Sequence, residues 1–113
     1  MAPIIGITAG RIRENAQIVR ICLIEKYIEA IQIAGGIPVI IPVGITEKEL
    51  SSILKIFDGF LITGGGDIAT ERFIGEHSPK VSDVDPVRDE FEIELARNAF
   101  RIDKPLLGIC RGH

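Results

Sequence analysis

The sequence predicts an α/β fold in which a parallel β-sheet carries helices on both faces. The predicted strands are apolar almost throughout, which is typical of parallel strands covered on both sides. They alternate with helical segments in the order strand, helix, strand, helix, strand, loop, helix, strand. Ligands of such sheets bind beyond the carboxyl ends of the strands. The loops after Thr8, Thr63 and Ile109 all leave at that edge, so we expect the functional residues there.

Composition indicates one globular domain over residues 1–113, since 46% of the residues are hydrophobic and 26% are charged. The net charge of −3, without a lysine or arginine cluster, argues against binding to nucleic acid or a membrane surface. No apolar segment is long enough to cross a bilayer, and the first residues do not resemble a signal peptide. Cys22 and Cys110 suggest no disulfide framework, so we expect a reducing, cytoplasmic setting.

The first third of the chain is predicted to form a strand, a loop and a helix. Residues 3–8 are the strand, and residues 9–15 are a polar loop that contains glycine. Helical spacing of apolar residues begins at Ala16, and a glycine pair after Ala34 ends the helix. Cys22 falls on the apolar stripe of this helix, which favours a core position over a chemical role. The other members of the stripe are Ile18, Ile21, Ile28, Ile31 and Ala34.

The middle third predicts a strand, a capped helix and another strand. Residues 36–42 form the second strand, and its prolines fit positions near strand ends. Thr46 and Glu49 have the spacing of a capping box, which begins a short helix. Residues 60–63 form a third buried strand, which continues directly into three glycines. The apolar side of the helix comprises Leu50, Ile53, Leu54 and Phe57.

The last third predicts one helix and one strand after an irregular segment at residues 68–84. Asp85 and Pro86 have the pattern of an N-cap followed by proline at the first helical position. The helix continues to about Arg101, and residues 105–109 have the apolar pattern of a buried central strand. The predicted buried face of the helix consists of Val87, Phe91, Leu95, Ala99 and Ile102.

Cys110 follows the last strand and lies between Gly108 and Gly112. Gly-x-Cys-x-Gly is the cysteine form of the nucleophile elbow, a sharp turn from a strand into a helix. Glycine is required on both sides because a side chain would collide with the neighbouring elements. The turn brings the sulfur near the amides of the next helix, which favours the thiolate. The alternative is a buried core cysteine; the two flanking glycines favour a nucleophile.

Gly64, Gly65 and Gly66 end the third strand and expose backbone N–H groups without intervening side chains. Such a segment suits the oxyanion of a tetrahedral intermediate. The N–H of Arg111, directly after the nucleophile, is a second donor. Gly64-x-Gly66-x-x-Ala69 also matches a dinucleotide fingerprint, although no clear helix follows it. A plain glycine-rich turn is the other alternative.

Five stretches together resemble a known family, and they extend over nearly the whole chain. They are residues 3–8, 34–39, 58–68, 88–92 and 104–112. They are similar to the peptidase C26 gamma-glutamyl hydrolases of the class I glutamine amidotransferase-like superfamily. Within that family they resemble the branch that hydrolyses gamma-glutamyl-gamma-aminobutyrate. The resemblance implies a flavodoxin-like sheet and a cysteine thiolate that attacks a gamma-glutamyl amide to form a thioester, which water then hydrolyses.

The resemblance also implies roles for individual residues. Cys110 is the catalytic nucleophile, and the backbone amides of Gly65, Gly66 and Arg111 form the oxyanion hole. Neither His77 nor His113 is assigned as the base. A further family motif contains Arg88, Asp89 and Glu92; the spacing of Arg88 and Glu92 fits an ion pair, which we favour over a substrate contact.

In the family, the catalytic histidine and its glutamate lie downstream of the elbow. We therefore expect residues 1–113 to be the N-terminal part of a single glutamine amidotransferase-like domain, truncated after the elbow and inactive alone. The expected substrate is a small gamma-glutamyl compound or glutamine, with no cofactor and no metal. A homo-oligomer and association with a C-terminal half both remain open. So do two other functions: an ammonia-delivering glutaminase subunit, and an incomplete fragment without activity.

Overall fold

The computed structural model describes residues 2–63 and 86–108, which form an α/β arrangement around a parallel sheet. In chain order the elements are β1 (Ile4–Thr8), β2 (Gly10–Arg13), β3 (Val19–Cys22), α1 (Glu25–Ile33), β4 (Ile37–Ile41), α2 (Glu47–Ile56), β5 (Gly59–Ile62), α3 (Pro86–Arg101) and β6 (Leu106–Gly108).

Four parallel strands lie in the order β4-β1-β5-β6. Counted along the chain, these are the second, first, third and fourth strands of the sheet, which is the order of flavodoxin-like folds. The predicted fold class is therefore confirmed. In this order the chain reverses its direction across the sheet between β1 and β5. The crevice beyond the carboxyl ends of two such strands is the usual ligand position.

The main core lies between one face of the sheet and the helices α2 and α3. Its buried members are Ile41, Leu50, Leu54, Phe57, Phe60, Ile62, Phe91, Leu95 and Ala99. Gly6 in β1 lies opposite two of them, and a Cβ at this position would be 2.5 Å from Ile41 Cδ1 and 3.2 Å from Phe60 Cδ1. Glycine therefore allows the side chains of the two neighbouring strands to meet across β1. Phe57 and Phe60 add an edge-to-face pair with centroids 5.7 Å apart.

The opposite face of the sheet carries α1, which contains no fully buried residue. Successive side chains of a strand point to opposite faces, so Ile5 lies on this side when Ile4 contacts the main core. Ile31 of α1 approaches Gly36, and Ile5 lies close to the same glycine. On this face Ile7 and Leu61 of the inner strands are buried, whereas Ile40 of the outer strand β4 is 45% exposed.

Residues 10–22 form an antiparallel hairpin of β2 and β3, where the sequence pattern predicted a loop followed by a helix. That prediction was wrong at its start, because the helix begins at Glu25 rather than near Ala16. The Asn15 side chain decides the local structure by accepting hydrogen bonds from the backbone N–H groups of Gln17 (2.8 Å) and Ile18 (3.0 Å). Such a turn competes with helix formation. The β-branched residues that follow favour a strand.

Cys22 consequently lies at the end of β3, half-buried, and not on a helical core stripe. Its Sγ lies 3.9 Å from the Arg20 carbonyl oxygen, to which the thiol donates. An exposed ion pair joins Arg20 of β3 to Glu14 in the turn of the hairpin.

The strand β4 is an outer strand of the described sheet and contains Pro38. The N–H of Ile37 donates to the carbonyl oxygen of Pro3, which lies on the β1 side. Backbone groups alternate in direction along a strand, so the nitrogen of Pro38 lies on the side away from β1. The proline therefore costs the sheet no hydrogen bond.

The capping box at the start of α2 is confirmed. The N–H of Glu49 donates to Thr46 Oγ1 (3.1 Å), and the N–H of Thr46 donates to Glu49 Oε1 (2.8 Å). These two bonds satisfy donors that a helix N-terminus leaves without intrahelical partners.

We expect Thr46→Ala to lower the free energy of unfolding by about 1 kcal/mol, because the side-chain acceptor of the N-cap is lost. Urea unfolding followed by circular dichroism measures the change. Ser51→Ala, an exposed substitution inside the same helix, is the matched control and should change stability by less than about 0.5 kcal/mol. Equal effects of the two substitutions would contradict the role of the cap.

The buried faces of α3 and β6 differ from the predicted ones. Phe91, Leu95 and Ala99 are buried as expected, whereas Val87 (50% exposed) and Ile102 (43% exposed) are not. Arg88 and Glu92 are buried instead. The predicted central strand at residues 105–109 is an outer strand of the described sheet, and Leu107 in it is 60% exposed.

Candidate functional site

The predicted nucleophile and oxyanion-hole residues lie outside the described part of the chain. These residues are Cys110, Gly65, Gly66 and Arg111, together with His77 and His113. The assignments therefore stay predictions. The structure does describe the strand ends from which these segments leave, and the side chains packed around those ends.

Thr8 and Thr63 meet at the carboxyl ends of β1 and β5, where the strand order reverses. The backbone N–H of Thr63 donates to Thr8 Oγ1 (3.1 Å), and Thr63 Oγ1 donates to the carbonyl oxygen of Thr8 (2.9 Å). Both residues are only 1% exposed. Two bonds between the same residues thus extend the β1–β5 pairing by side-chain contacts beyond Ile62, the last residue of β5.

Arg88 joins α3 to this pair of threonines. Its Nη2 donates to Thr63 Oγ1 (2.8 Å) and, at a longer 3.4 Å, to Thr8 Oγ1. The side chain is 1% exposed, so it lies wholly within the protein. Three elements that are distant in sequence are therefore held together by one guanidinium group.

Glu92 supplies the negative charge next to Arg88. Arg88 Nε lies 2.7 Å from Glu92 Oε2, and the two side chains are 1% and 10% exposed. The predicted i,i+4 ion pair is confirmed, and its burial is much greater than that of a surface pair. Burying an arginine is expensive unless a carboxylate and hydrogen-bond acceptors compensate the lost water. Glu92 and the two threonine hydroxyls provide this compensation.

The register of β5 and β6 aligns the two strand ends that precede the predicted site segments. Ile62 pairs with Gly108, the last described residue of β6. In the sequence, the glycine triplet begins two residues after Ile62, and Cys110 is two residues after Gly108. Both segments therefore depart from adjacent parallel strands at equivalent positions.

Sequence reasoning treated Thr8 and Thr63 only as strand ends and did not predict their contact with Arg88. One signal was available, because each threonine is a polar residue that ends an apolar run. The partner was harder to find, since Arg88 is 80 residues from Thr8. Its burial also contradicts the apolar pattern that placed Val87 on the inner face.

Within residues 2–63 and 86–108, no group of three or more His, Cys, Asp or Glu side chains is arranged to hold a metal ion. No described helix has the length and apolar character needed to span a membrane.

Comparison with known proteins identifies the family. A model of the family described as Peptidase C26 matches residues 3–113. The chain belongs to the Peptidase C26 family. It is 34% identical over 88 residues to a putative glutamine amidotransferase-like protein YvdE of Lactococcus lactis, an alignment that spans 78% of this chain and 37% of the relative.

Two further relatives align with almost the whole chain. Identity to the gamma-glutamyl-gamma-aminobutyrate hydrolase PuuD of Escherichia coli is 32%, over 97% of this chain and 43% of the relative. Identity to protein NtpR of Enterococcus hirae is 29%, over 99% of this chain and 48% of the relative. This Peptidase C26 chain therefore spans less than half the length of these curated relatives.

Proposed function

We propose that this chain carries the nucleophile of a thiol hydrolase that cleaves gamma-glutamyl amide bonds. The single observation that supports it is the pairing of Ile62 with Gly108, because in the sequence the glycine triplet begins two residues after Ile62 and Cys110 is two residues after Gly108. An attacking thiolate and donors for an oxyanion are needed within one small volume, and adjacent strand ends provide that proximity. Family membership and the name of the Escherichia coli relative support the gamma-glutamyl substrate class.

In the proposed reaction, the Cys110 thiolate attacks the carbonyl carbon of the gamma-glutamyl amide. The carbonyl oxygen becomes an oxyanion, which accepts hydrogen bonds from the amides of Gly65, Gly66 and Arg111. The carbon–nitrogen bond then breaks, the amine leaves with a proton, and a gamma-glutamyl thioester remains on Cys110. Water attacks the thioester, releasing glutamate and returning the thiol. Proton transfer requires a general base, which we propose is supplied by polypeptide other than residues 1–113.

A glutaminase is the second candidate, because relatives are named as putative glutamine amidotransferase-like proteins. The amide of glutamine is itself a gamma-glutamyl amide, so the same nucleophile would serve both reactions. Ammonia release from glutamine, compared with amine release from gamma-glutamyl-gamma-aminobutyrate, distinguishes the two candidates. We expect the hydrolase substrate to be preferred.

The assignment of Cys110 is tested by its reaction with iodoacetamide at neutral pH. We expect Cys110 to be alkylated at least about tenfold faster than Cys22, because only the thiolate reacts and the proposed elbow favours the thiolate of Cys110. An ordinary thiol, with pKa near 8.5, is mostly protonated at neutral pH. Mass spectrometry of the tryptic peptides gives both rates. Cys22 is half-buried in a hairpin and not sealed in the core, so a slow rate would not result from complete burial.

Cys22→Ser and Cys110→Ser are the matched single-thiol variants for this measurement. The urea-unfolded chain, in which both thiols lose their environments, should show similar rates and is the reference. Equal rates for the two cysteines in the folded chain would contradict the proposed nucleophile.

A further inference from the structure

Arg88 lies at the carboxyl edge of the sheet, next to the point from which the glycine triplet continues. It contacts Thr63, the residue immediately before Gly64, through a 2.8 Å hydrogen bond. Thr63 in turn is tied to Thr8 by two hydrogen bonds. Thr63, the last described residue after β5, is thus bonded both to Thr8 at the end of β1 and to Arg88 of α3.

Stability alone is a weak reason for this arrangement. A buried ion pair usually contributes little net stability, since desolvation of both charges offsets their attraction, and apolar residues of similar volume often stabilise as well or better. The rest of the inner face of α3 is apolar, with Phe91, Leu95 and Ala99 in the main core. The ion pair replaces apolar packing only at the N-terminal part of α3, beside the two threonines.

Direct contact of Arg88 with substrate is also poorly supported. The side chain is 1% exposed, and its Nε and Nη2 donate to Glu92 and to the threonines. A guanidinium group has a planar, fixed arrangement of donors, so it constrains the direction of the groups that it binds more tightly than a lysine would. Because the Arg88 guanidinium group is buried, hydrogen-bonded and planar, it is suited to fix the positions of the side chains that it binds.

From these contacts we propose that Arg88 is a positioning residue for the hydrolysis reaction, acting through Thr63 on the start of the glycine segment. The inference rests on the proposed function, in which that segment donates to the oxyanion. A displacement of about 1 Å in a catalytic group can lower a rate about a hundredfold. Loss of the Arg88–Thr63 bond should therefore slow attack on a carbonyl group but not attack on a carbon that forms no oxyanion.

The experiment compares two reactions of Cys110 in the full 113-residue chain. The first is acylation by an activated gamma-glutamyl p-nitrophenyl ester, followed by intact-protein mass spectrometry, and it passes through an oxyanion. The second is alkylation by iodoacetamide, which displaces iodide and forms no oxyanion. We expect Thr63→Val, which removes the hydroxyl at similar volume, to lower the acylation rate about tenfold to a hundredfold. The alkylation rate should remain that of the unsubstituted chain.

Further variants separate positioning from folding. Thr63→Ser retains the hydroxyl and should restore acylation, whereas Arg88→Lys should behave like Thr63→Val. Arg97→Lys, at an exposed arginine of the same helix, and Ser52→Ala, at an exposed hydroxyl of α2, are the matched controls. Circular dichroism melts identify any variant that is unfolded. Thr63→Val, with a volume close to that of threonine, keeps the test decisive if Arg88→Lys does not fold.

Each result supports or overturns the proposal. Slower acylation with unchanged alkylation in Thr63→Val supports it. A folded Thr63→Val that is acylated as fast as the unsubstituted chain overturns it, and so does an equal decrease of both reactions. If Cys110 of the unsubstituted chain is acylated neither in the chain alone nor together with the C-terminal part of a Peptidase C26 relative, the proposed function fails and the positioning role with it. The last result is distinguished from the others because it appears before any substitution is made.

Discussion

The 113-residue chain alone is expected to hydrolyse gamma-glutamyl-p-nitroanilide about a hundredfold to ten-thousandfold more slowly than when it is joined by a polypeptide that supplies a general base. Even when the elbow favours the thiolate, the departing amine needs a proton, which a general base carries to it. Hydrolysis of the thioester by water requires the same base. Release of p-nitroaniline, measured with and without the C-terminal part of a Peptidase C26 relative, tests this expectation.

Two controls make the turnover experiment specific. Cys110→Ala should abolish any activity of the combined proteins, since no other thiol is placed at the proposed elbow. Cys22→Ala, which replaces the cysteine at the end of β3, should leave turnover unaffected. Rapid turnover by the short chain alone, lost in Cys110→Ala, would show that residues 1–113 already contain a base. Substitution of His77 and His113 by alanine would then identify it.

We expect Arg88→Leu to lower the free energy of unfolding by about 3–5 kcal/mol, because the carboxylate of Glu92 would remain buried without its partner. The double variant Arg88→Leu/Glu92→Leu should recover most of the loss, since it removes both buried charges. Urea unfolding of the single and double variants gives the coupling between the two side chains.

Arg97→Leu provides the reference for this measurement, because Arg97 is an exposed arginine of the same helix. It should change stability by less than about 0.5 kcal/mol. If Arg88→Leu were as stable as the unsubstituted chain, the ion pair would not compensate a buried charge as described. A stable double variant that is no longer acylated would instead be consistent with the positioning role.

The secondary-structure elements that depend mainly on residues close in the sequence could be predicted well. The apolar runs of β1, β4 and β5, the capping box of α2 and the helix ending at Arg101 agree with the structure, because local pattern and tertiary burial favour the same conformation. The flavodoxin-like parallel sheet was predicted from the alternation of strands and helices together with the family resemblance. These elements set the carboxyl edge at which the site was expected.

Two features could not be predicted, for different physical reasons. In the hairpin, the apolar spacing of Ile18, Ile21 and Cys22 fits a helix, but a single side chain, Asn15, captures two backbone N–H groups and forms a turn. At the site, the burial of Arg88 depends on partners that are 25 and 80 residues away. The periodicity of apolar residues contains no information on distant hydrogen-bond partners that compensate the burial of a charge. The residues that the sequence assigned to catalysis remain predictions, since they lie outside the described ranges.

Pro38 has a consequence for self-association. A strand that joins the outer side of β4 would find no donor at this position, so amyloid-like stacking and strand exchange between copies are disfavoured there. At the other described border, the N–H of Phe60 donates to the Pro105 carbonyl oxygen, so the backbone groups of Leu106 and Gly108 point away from β5. The two borders of the described sheet therefore differ: β6 presents outward backbone donors at Leu106 and Gly108, whereas β4 lacks the outward donor at Pro38.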